Sequence, residues 1–405
     1  MAARYFSAAL NRLQDCLNDP SETKRDENLM ASILLQLHET LHAVKELRPA
    51  NSVYQNGAMS LVGSRGIQNF RSDTAKYLLL YVRSAEVCCA ICEGRRVDAE
   101  LASLSQYDNM PSNPSLALDG LGVLVANVQA CFLELSNDSP GGELLQMDPV
   151  RMINLYHALD LERELMSWSQ TLPEHWWPVK IQHASKQIPT YINTCEIYPS
   201  IHIASVWNTW RCYRLIVNKI ILAYDLTHNQ SGHNSEISDR LHQVQAIVDS
   251  ICYSVPFHLG NLIREIEIHN FSDSLIESPV HHNCNQKKLP PQISRRFAFM
   301  PQDQNIRHTI GQGTWHIASH LSKLVTLLSG EPGYLLKSCL RAGQLTWIFG
   351  QLHRVATLFK LPEVRSNTCE HGLSGIDTDC ILGPSTSTQI RLAKYLREGF
   401  KFTGI

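Results

Sequence analysis

PSIHIASVWNTWRCYRLIVNKIILAYDL, residues 199–226, sets the fold class. Ile203, Val206, Trp207, Trp210, Tyr213, Val217, Ile220, Ile221 and Tyr224 recur at steps of three and four, the period of a helix face. The apolar patch around 216–224 is interrupted by Asn218 and Lys219. No uninterrupted run of 18 apolar residues occurs anywhere, so no membrane span is expected.

The same period extends in both directions. Upstream it predicts helices over 3–17, 27–47, 52–63, 71–94, 116–135 and 149–168. Downstream it predicts 235–254, 308–329, 334–360 and a short closing helix at 387–399. In the 27–47 helix, Met30, Ile33, Leu34, Leu37, Leu41 and Val44 form one apolar stripe expected to face the core, with Pro49 as the stop. Residues 106–115 and 137–142 are loops. The segment 270–307, with HHNCNQKKLPPQ, has few periodic positions and is expected to be a long loop or partly disordered insert. No alternating strand pattern and no fixed-period repeat appears. The expectation is an all-α chain of ten or more helices: one large regulatory-type domain over 1–269, the insert at 270–307, and closing helices over 308–405.

Composition narrows the function classes. The 405 residues are 44% hydrophobic and 18% charged, enough to bury a core. Lys+Arg number 36 against 38 Asp+Glu, and the basic pairs Arg95-Arg96 and Arg295-Arg296 stand alone, so no electrostatic footprint for nucleic acid is present. Twelve scattered cysteines fit reduced thiols in cytosol or nucleus better than a disulfide framework.

Five groups of residues could carry chemistry. His38-Glu39-Thr40-Leu41-His42 matches H-E-x-x-H, in which two histidines one helical turn apart hold zinc and the glutamate is general base. The third ligand of the extended form does not follow, and Glu86 is one of many distant alternatives. With 18 histidines in the chain, a solvated helix edge is the preferred account. Cys88, Cys89 and Cys92 contain one C-x-x-C without a second at finger spacing, and are expected to be buried structural thiols. His281, His282 and Cys284 sit in a polar loop, and His316 and His320 form an i,i+4 pair expected at a helix edge or core. Trp207, Trp210, Arg211 and Arg214 form an aromatic–arginine cluster, expected to be core packing with internal ion pairs, a ligand pocket being the alternative. No G-x-S-x-G is present, and Gly311-Gln-Gly313 is not a phosphate loop. No catalytic, cofactor-binding or metal-ligating residue is assigned, and no enzyme activity or cofactor is expected.

Three segments, in order, carry a resemblance. The first is LLQLHETLHAVKE followed by YQNGAMSLVGSRG, with Gly57-Ala58, Leu61-Val62 and Arg65-Gly66. The second runs from LPEHWWP into the W-N-x-x-R-x-x-R-x-x-x-N pattern at Trp207, Asn208, Arg211 and Arg214. The third is GQLTWIFGQLHRVATLFKLPEV at 343–364. Together they resemble the fungal-specific transcription factor domain, the regulatory domain of zinc binuclear cluster regulators. The resemblance implies a nuclear, helical, non-enzymatic regulator of a metabolic or secondary-metabolite gene cluster. It would work through the transcription machinery or a partner regulator and respond to a small-molecule effector. The family's six-cysteine DNA-binding segment does not match anything here: Cys16 is the only cysteine before Cys88. The usual histidine before Gly57-Ala58 is replaced by Tyr54-Gln-Asn. Direct DNA binding by these residues is therefore not expected, and a DNA reader would lie upstream of Met1 or on a partner. A zinc-dependent hydrolase built on residues 38–42 and a truncated, non-functional relative are the alternatives.

Overall fold

The computed structural model describes residues 2–19, 22–103, 113–137, 148–182, 190–228, 234–260, 263–264, 297–298, 312–329, 334–361 and 386–403. The fold is all-α. In chain order the helices are α1 (Ala2–Leu17), α2 (Asp26–Glu46), α3 (Val53–Arg65), α4 (Asp73–Glu93), α5 (Ala99–Ala102), α6 (Pro114–Asn137) and α7 (Pro149–Gln170). They continue as α8 (Ile201–His228), α9 (Asn234–His258), α10 (Thr314–Ser329), α11 (Tyr334–Lys337), α12 (Gln344–Leu358) and α13 (Thr386–Gly399). Two antiparallel ribbons complete the description: β1 (Val179–Gln182) with β2 (Thr194–Ile197), and β3 (Ile263–Arg264) with β4 (Phe297–Ala298). The chain divides into two compact units, Met1–Asp138 together with Tyr395–Ile405, and Ser139–Lys394. The division thus falls near 138 and 394, and the 270–307 segment lies outside the described residues except for β4.

In the first unit, local chemistry sets the helix ends. Ser72 caps α4, its Oγ accepting from Ala75 N at 3.1 Å. Gly94 ends α4 in the left-handed region at φ 67°, which a glycine adopts without strain. Asn113 Oδ1 accepts from Leu116 N at 2.9 Å just ahead of Pro114, which opens α6. The core joins Leu29 and Ile33 of α2, Leu61 and Val62 of α3, Leu79 and Val82 of α4, and Leu101 of α5. A second cluster gathers Ala43, Ala50, Cys89 and, from the far end of the chain, Phe402. Ala50 N donates to Glu398 O at 3.2 Å, and Lys401 Nζ lies 2.8 Å from Glu93. Helix α6 has a stretch long and apolar enough to cross a bilayer, with a mean hydropathy of 1.7, although no unbroken apolar run marks it. Half of that stretch is buried, and α6 packs on α4.

The core face of α2 is rotated from the expected stripe: Ile33 and Val44 are buried as expected, and the other four stripe residues are not. Met30, Leu34, Leu37 and Leu41 are 40%, 55%, 37% and 49% exposed. The buried face is Asn28, Leu29, Ser32, Ile33, Gln36, Thr40, Ala43 and Val44. Polar members of that face are satisfied internally: Gln36 Nε2 donates to Asn51 O at 3.1 Å, and its Oε1 accepts from Gln55 N at 2.9 Å. The helix stops at Leu47, which is left-handed at φ 51°, two residues before Pro49.

In the second unit, α8 packs against α7, α9 and α10, and β2 packs on α9. Three details differ from the periodicity. The β1–β2 ribbon pairs Val179 with Ile197 and Gln182 with Thr194, in a stretch without strand alternation. Helix α9 runs through Pro256 to His258, one turn beyond the expected 254. The single helix expected over 334–360 is broken into α11 and α12. Gly343 at φ 77° turns the chain there, and Arg341 reaches back to Asp249 on α9 at 2.9 Å.

Candidate functional site

The candidate site is a line of polar side chains wound around α8. Ser205, Asn208, Arg211 and Arg214 are spaced three apart, so each step turns about 60° backwards around a helix of 100° per residue. Three steps sweep half the circumference, and each side chain meets a different neighbour. Ser205 Oγ lies 3.0 Å from His320 Nε2 on α10. Asn208 Nδ2 lies 2.9 Å from Ser254 Oγ and 3.1 Å from His258 Nε2, both on α9. Arg211 Nη2 donates to Glu196 on β2 at 2.7 Å, and its Nη1 donates to Tyr198 Oη at 2.7 Å and Asn208 Oδ1 at 2.8 Å. Arg214 Nε donates to Glu162 on α7 at 2.8 Å. Asn218 closes the line, its Nδ2 donating to Arg214 O at 2.8 Å.

The line lies in the dry interior, where charge is costly unless paired. Asn208 and His258 are wholly buried, and Arg211 is 3% exposed. Burial alone would lower the Arg211 pKa, but Glu196 and Tyr198 outweigh it, so the guanidinium stays charged. Burial drives the Tyr198 phenol well above its ordinary range, so it remains protonated and donates to Glu196 at 2.6 Å. The His320 imidazole is pushed well below its ordinary value, by burial first and then by Lys323, His258, His316 and Arg211. Tryptophans wall one side: Trp207 Nε1 donates to Trp176 O at 2.8 Å and Trp210 Nε1 to Leu165 O at 2.7 Å. Arg214 lies over the Trp210 ring at 4.9 Å. The aromatic–arginine cluster of the sequence is therefore packed core with internal ion pairs. Chemically the arrangement can hold four neighbouring elements in one register; its arginines and asparagines already have their partners.

At the H-E-x-x-H stretch, the histidines come together and the glutamate does not serve them. The His38 and His42 rings are 4.6 Å apart, and His38 stacks on Phe6 of α1 at 4.4 Å. Both Glu39 oxygens are taken by Arg48, at 2.6 and 3.1 Å, and Asn51 N donates to Oε1 at 2.8 Å. The Arg48 hydrogen bonds hold the Glu39 carboxyl below its ordinary range. Glu39 thus ties the chain after α2 back onto the helix. Glu86 pairs with Arg95 through both oxygens. Among the described residues, no group of three His, Cys, Asp or Glu side chains is placed to share a metal ion.

Of the α4 thiols, Cys89 and Cys92 are buried and Cys88 is half-buried. Burial pushes the Cys89 thiol up, so it stays protonated. No disulfide joins any two of the nine described cysteines. His320 belongs to the polar line and His316 packs edge-on to His202 at 5.6 Å. His281, His282, Cys284 and Gly311 lie outside the described residues. The partners Glu162, Glu196, Tyr198, Ser205, Ser254 and His258 carried no local signal. The one available hint was the arginine count on α8: two arginines within an apolar stripe demand two buried acids.

No protein-family model, no curated protein and no solved structure matches this chain.

Proposed function

We propose that the chain is a transcriptional regulator of the fungal type, acting in the nucleus without catalysis of its own. The observation that carries this is the placement of the W-N-x-x-R-x-x-R-x-x-x-N pattern. Trp207, Asn208, Arg211, Arg214 and Asn218 are all buried, on the helix that packs against α7, α9, α10 and α11. A pattern of this kind in a non-enzymatic helical domain is a fold determinant, which suits a motif shared by regulatory domains with unrelated effectors. The all-α architecture also fits that class. The engagement of Glu39 by Arg48 and Asn51 favours the regulator over a hydrolase built on His38 and His42. With charges nearly balanced, DNA contact would be supplied by another segment or a partner protein, and the helical surfaces would receive the effector or the transcription machinery.

The test is a fusion of the full chain to a heterologous DNA-binding domain in a fungal host carrying the matching reporter. The expected result is a reproducible rise or fall in reporter output, abolished by Arg211→Met at equal protein level. A fusion that is nuclear, folded and silent in both directions would remove the regulator reading.

A further inference from the structure

The exposed stripe on α2 is the largest unexplained feature of the first unit. Met30, Leu34, Leu37 and Leu41 are spaced four, three and four apart, so they lie within about 60° of one another along about 16 Å of helix. That spacing is the d-a-d-a seam of a two-helix contact. Tyr5, 71% exposed, adds to the apolar surface of α1, the helix laid alongside. A water-facing seam of this kind marks an interaction surface.

The charges at its ends say what the surface fits. Glu27 and Lys45 stand about five full turns apart and so share one edge of the seam. Of the four acids of α2, Asp26 and Glu27 stand in its first turn, Glu27 only 3.4 Å from the exposed Arg25, while Glu39 and Glu46 pair with Arg48; Lys45 stands in the last turn. In an antiparallel pair centred between Leu34 and Leu37, Met30 meets the partner's Leu41 and Leu34 the partner's Leu37. The same two-fold rotation sets Glu27 within about one residue of the partner's Lys45, twice. In a parallel pair, Glu27 and the partner's Lys45 would stand about 27 Å apart along the axis, and no such pair would form. We propose that α2 is a self-association surface: a second copy of this chain docks antiparallel along Met30, Leu34, Leu37 and Leu41, with reciprocal Glu27–Lys45 pairs fixing the register. The surface lies wholly on α2 and does not depend on the regulator reading.

The experiment is sedimentation velocity on the full chain from about 1 to 100 µM, the range in which moderate dimers dissociate. The wild type is expected to pass from monomer to dimer over that range. Leu34→Glu should weaken the dimer by more than about tenfold, with circular dichroism unchanged because Leu34 already faces water. Glu27→Lys and Lys45→Glu should each weaken it, and the double variant should restore it, which only the antiparallel register produces. A monomer at every concentration, a dimer indifferent to Leu34→Glu, or a double charge reversal without restoration would each overturn the proposal. So would a stripe that binds another protein while the chain itself stays monomeric.

Discussion

Removing one partner of the Glu196–Arg211 pair should be among the costliest single changes in the second unit. Both side chains are about 95% buried, and Arg211 bridges Glu196, Tyr198 and Asn208. Arg211→Met leaves a carboxylate in the interior with Tyr198 as its remaining donor. Glu196→Leu leaves a guanidinium there instead. Breaking such a pair costs about 3–5 kcal/mol, where an exposed pair costs about 0–1. In a unit of this size each kcal/mol moves Tm by about 2–4 °C, so each single variant should lose about 6–20 °C. The double variant removes both charges and should cost at least about 2 kcal/mol less than the sum. Arg163→Met, in an exposed pair with Asp160 on α7, is the control and should shift stability by less than about 0.5 kcal/mol. Urea unfolding followed by tryptophan fluorescence suits the assay, because Trp168, Trp207 and Trp210 cluster beside the pair. Single variants costing less than about 1 kcal/mol, or simple additivity, would refute the account of α8 as a charge-paired hub.

The remaining predictions concern pH, the α2 turn and two glycines. His320 is held neutral in the fold, so the unfolded chain takes up a proton near pH 6.5 that the folded chain refuses. Stability should be flat above that pH and fall by about 1.4 kcal/mol per unit below it, and His320→Gln should remove one proton from that slope in urea titrations between pH 5 and 7.5. Glu39→Ala should cost about 1–2 kcal/mol, discounted because Arg48 is over a third exposed, and should leave any zinc-dependent peptide hydrolysis at background; a hydrolysis lost with Glu39 would reinstate the peptidase. Gly94→Ala should cost about 1–3 kcal/mol by thermal unfolding, since φ is +67° and its Cβ would fall 2.5 Å from Leu133 Cδ1. Gly350→Ala, inside α12 with nothing within 4 Å, should gain about 0.5–1 kcal/mol.

The sequence-visible and sequence-hidden features part along a physical line. Periodicity located α8 within two residues at each end, because Ile203 through Tyr224 recur on a core-facing surface. On α2 the same rule was right for Ile33 and Val44 and wrong for Met30, Leu34, Leu37 and Leu41. There the core is also lined by Asn28, Ser32 and Gln36, whose polar groups are satisfied by backbone atoms, and hydropathy cannot see that satisfaction. Gly94 ends α4 where the periodicity stops, whereas α9 continues through Pro256 to His258, four residues past the expected end at 254. The candidate site was half legible. Arg211 and Arg214 stood out within an apolar helix, but Glu162 and Glu196 come from 52 and 15 residues away, a distance across which local spacing carries no information.

The last turn of the chain has a consequence for how the protein is made. Phe402 completes the cluster of Ala43, Ala50 and Cys89, and Glu398 accepts from Ala50 N. The first unit is therefore synthesised in two instalments with the whole of the second unit between them. At about 5–20 residues per second, the nascent N-terminal portion waits roughly 13–50 s for the piece that covers Ala43 and Cys89. During that interval its apolar gap is a place for a chaperone to hold, and a ribosome stalled before Glu398 would leave the gap open. A change confined to residues 398–402 should thus disturb the packing of α2 and α4, roughly 300 residues earlier in the chain.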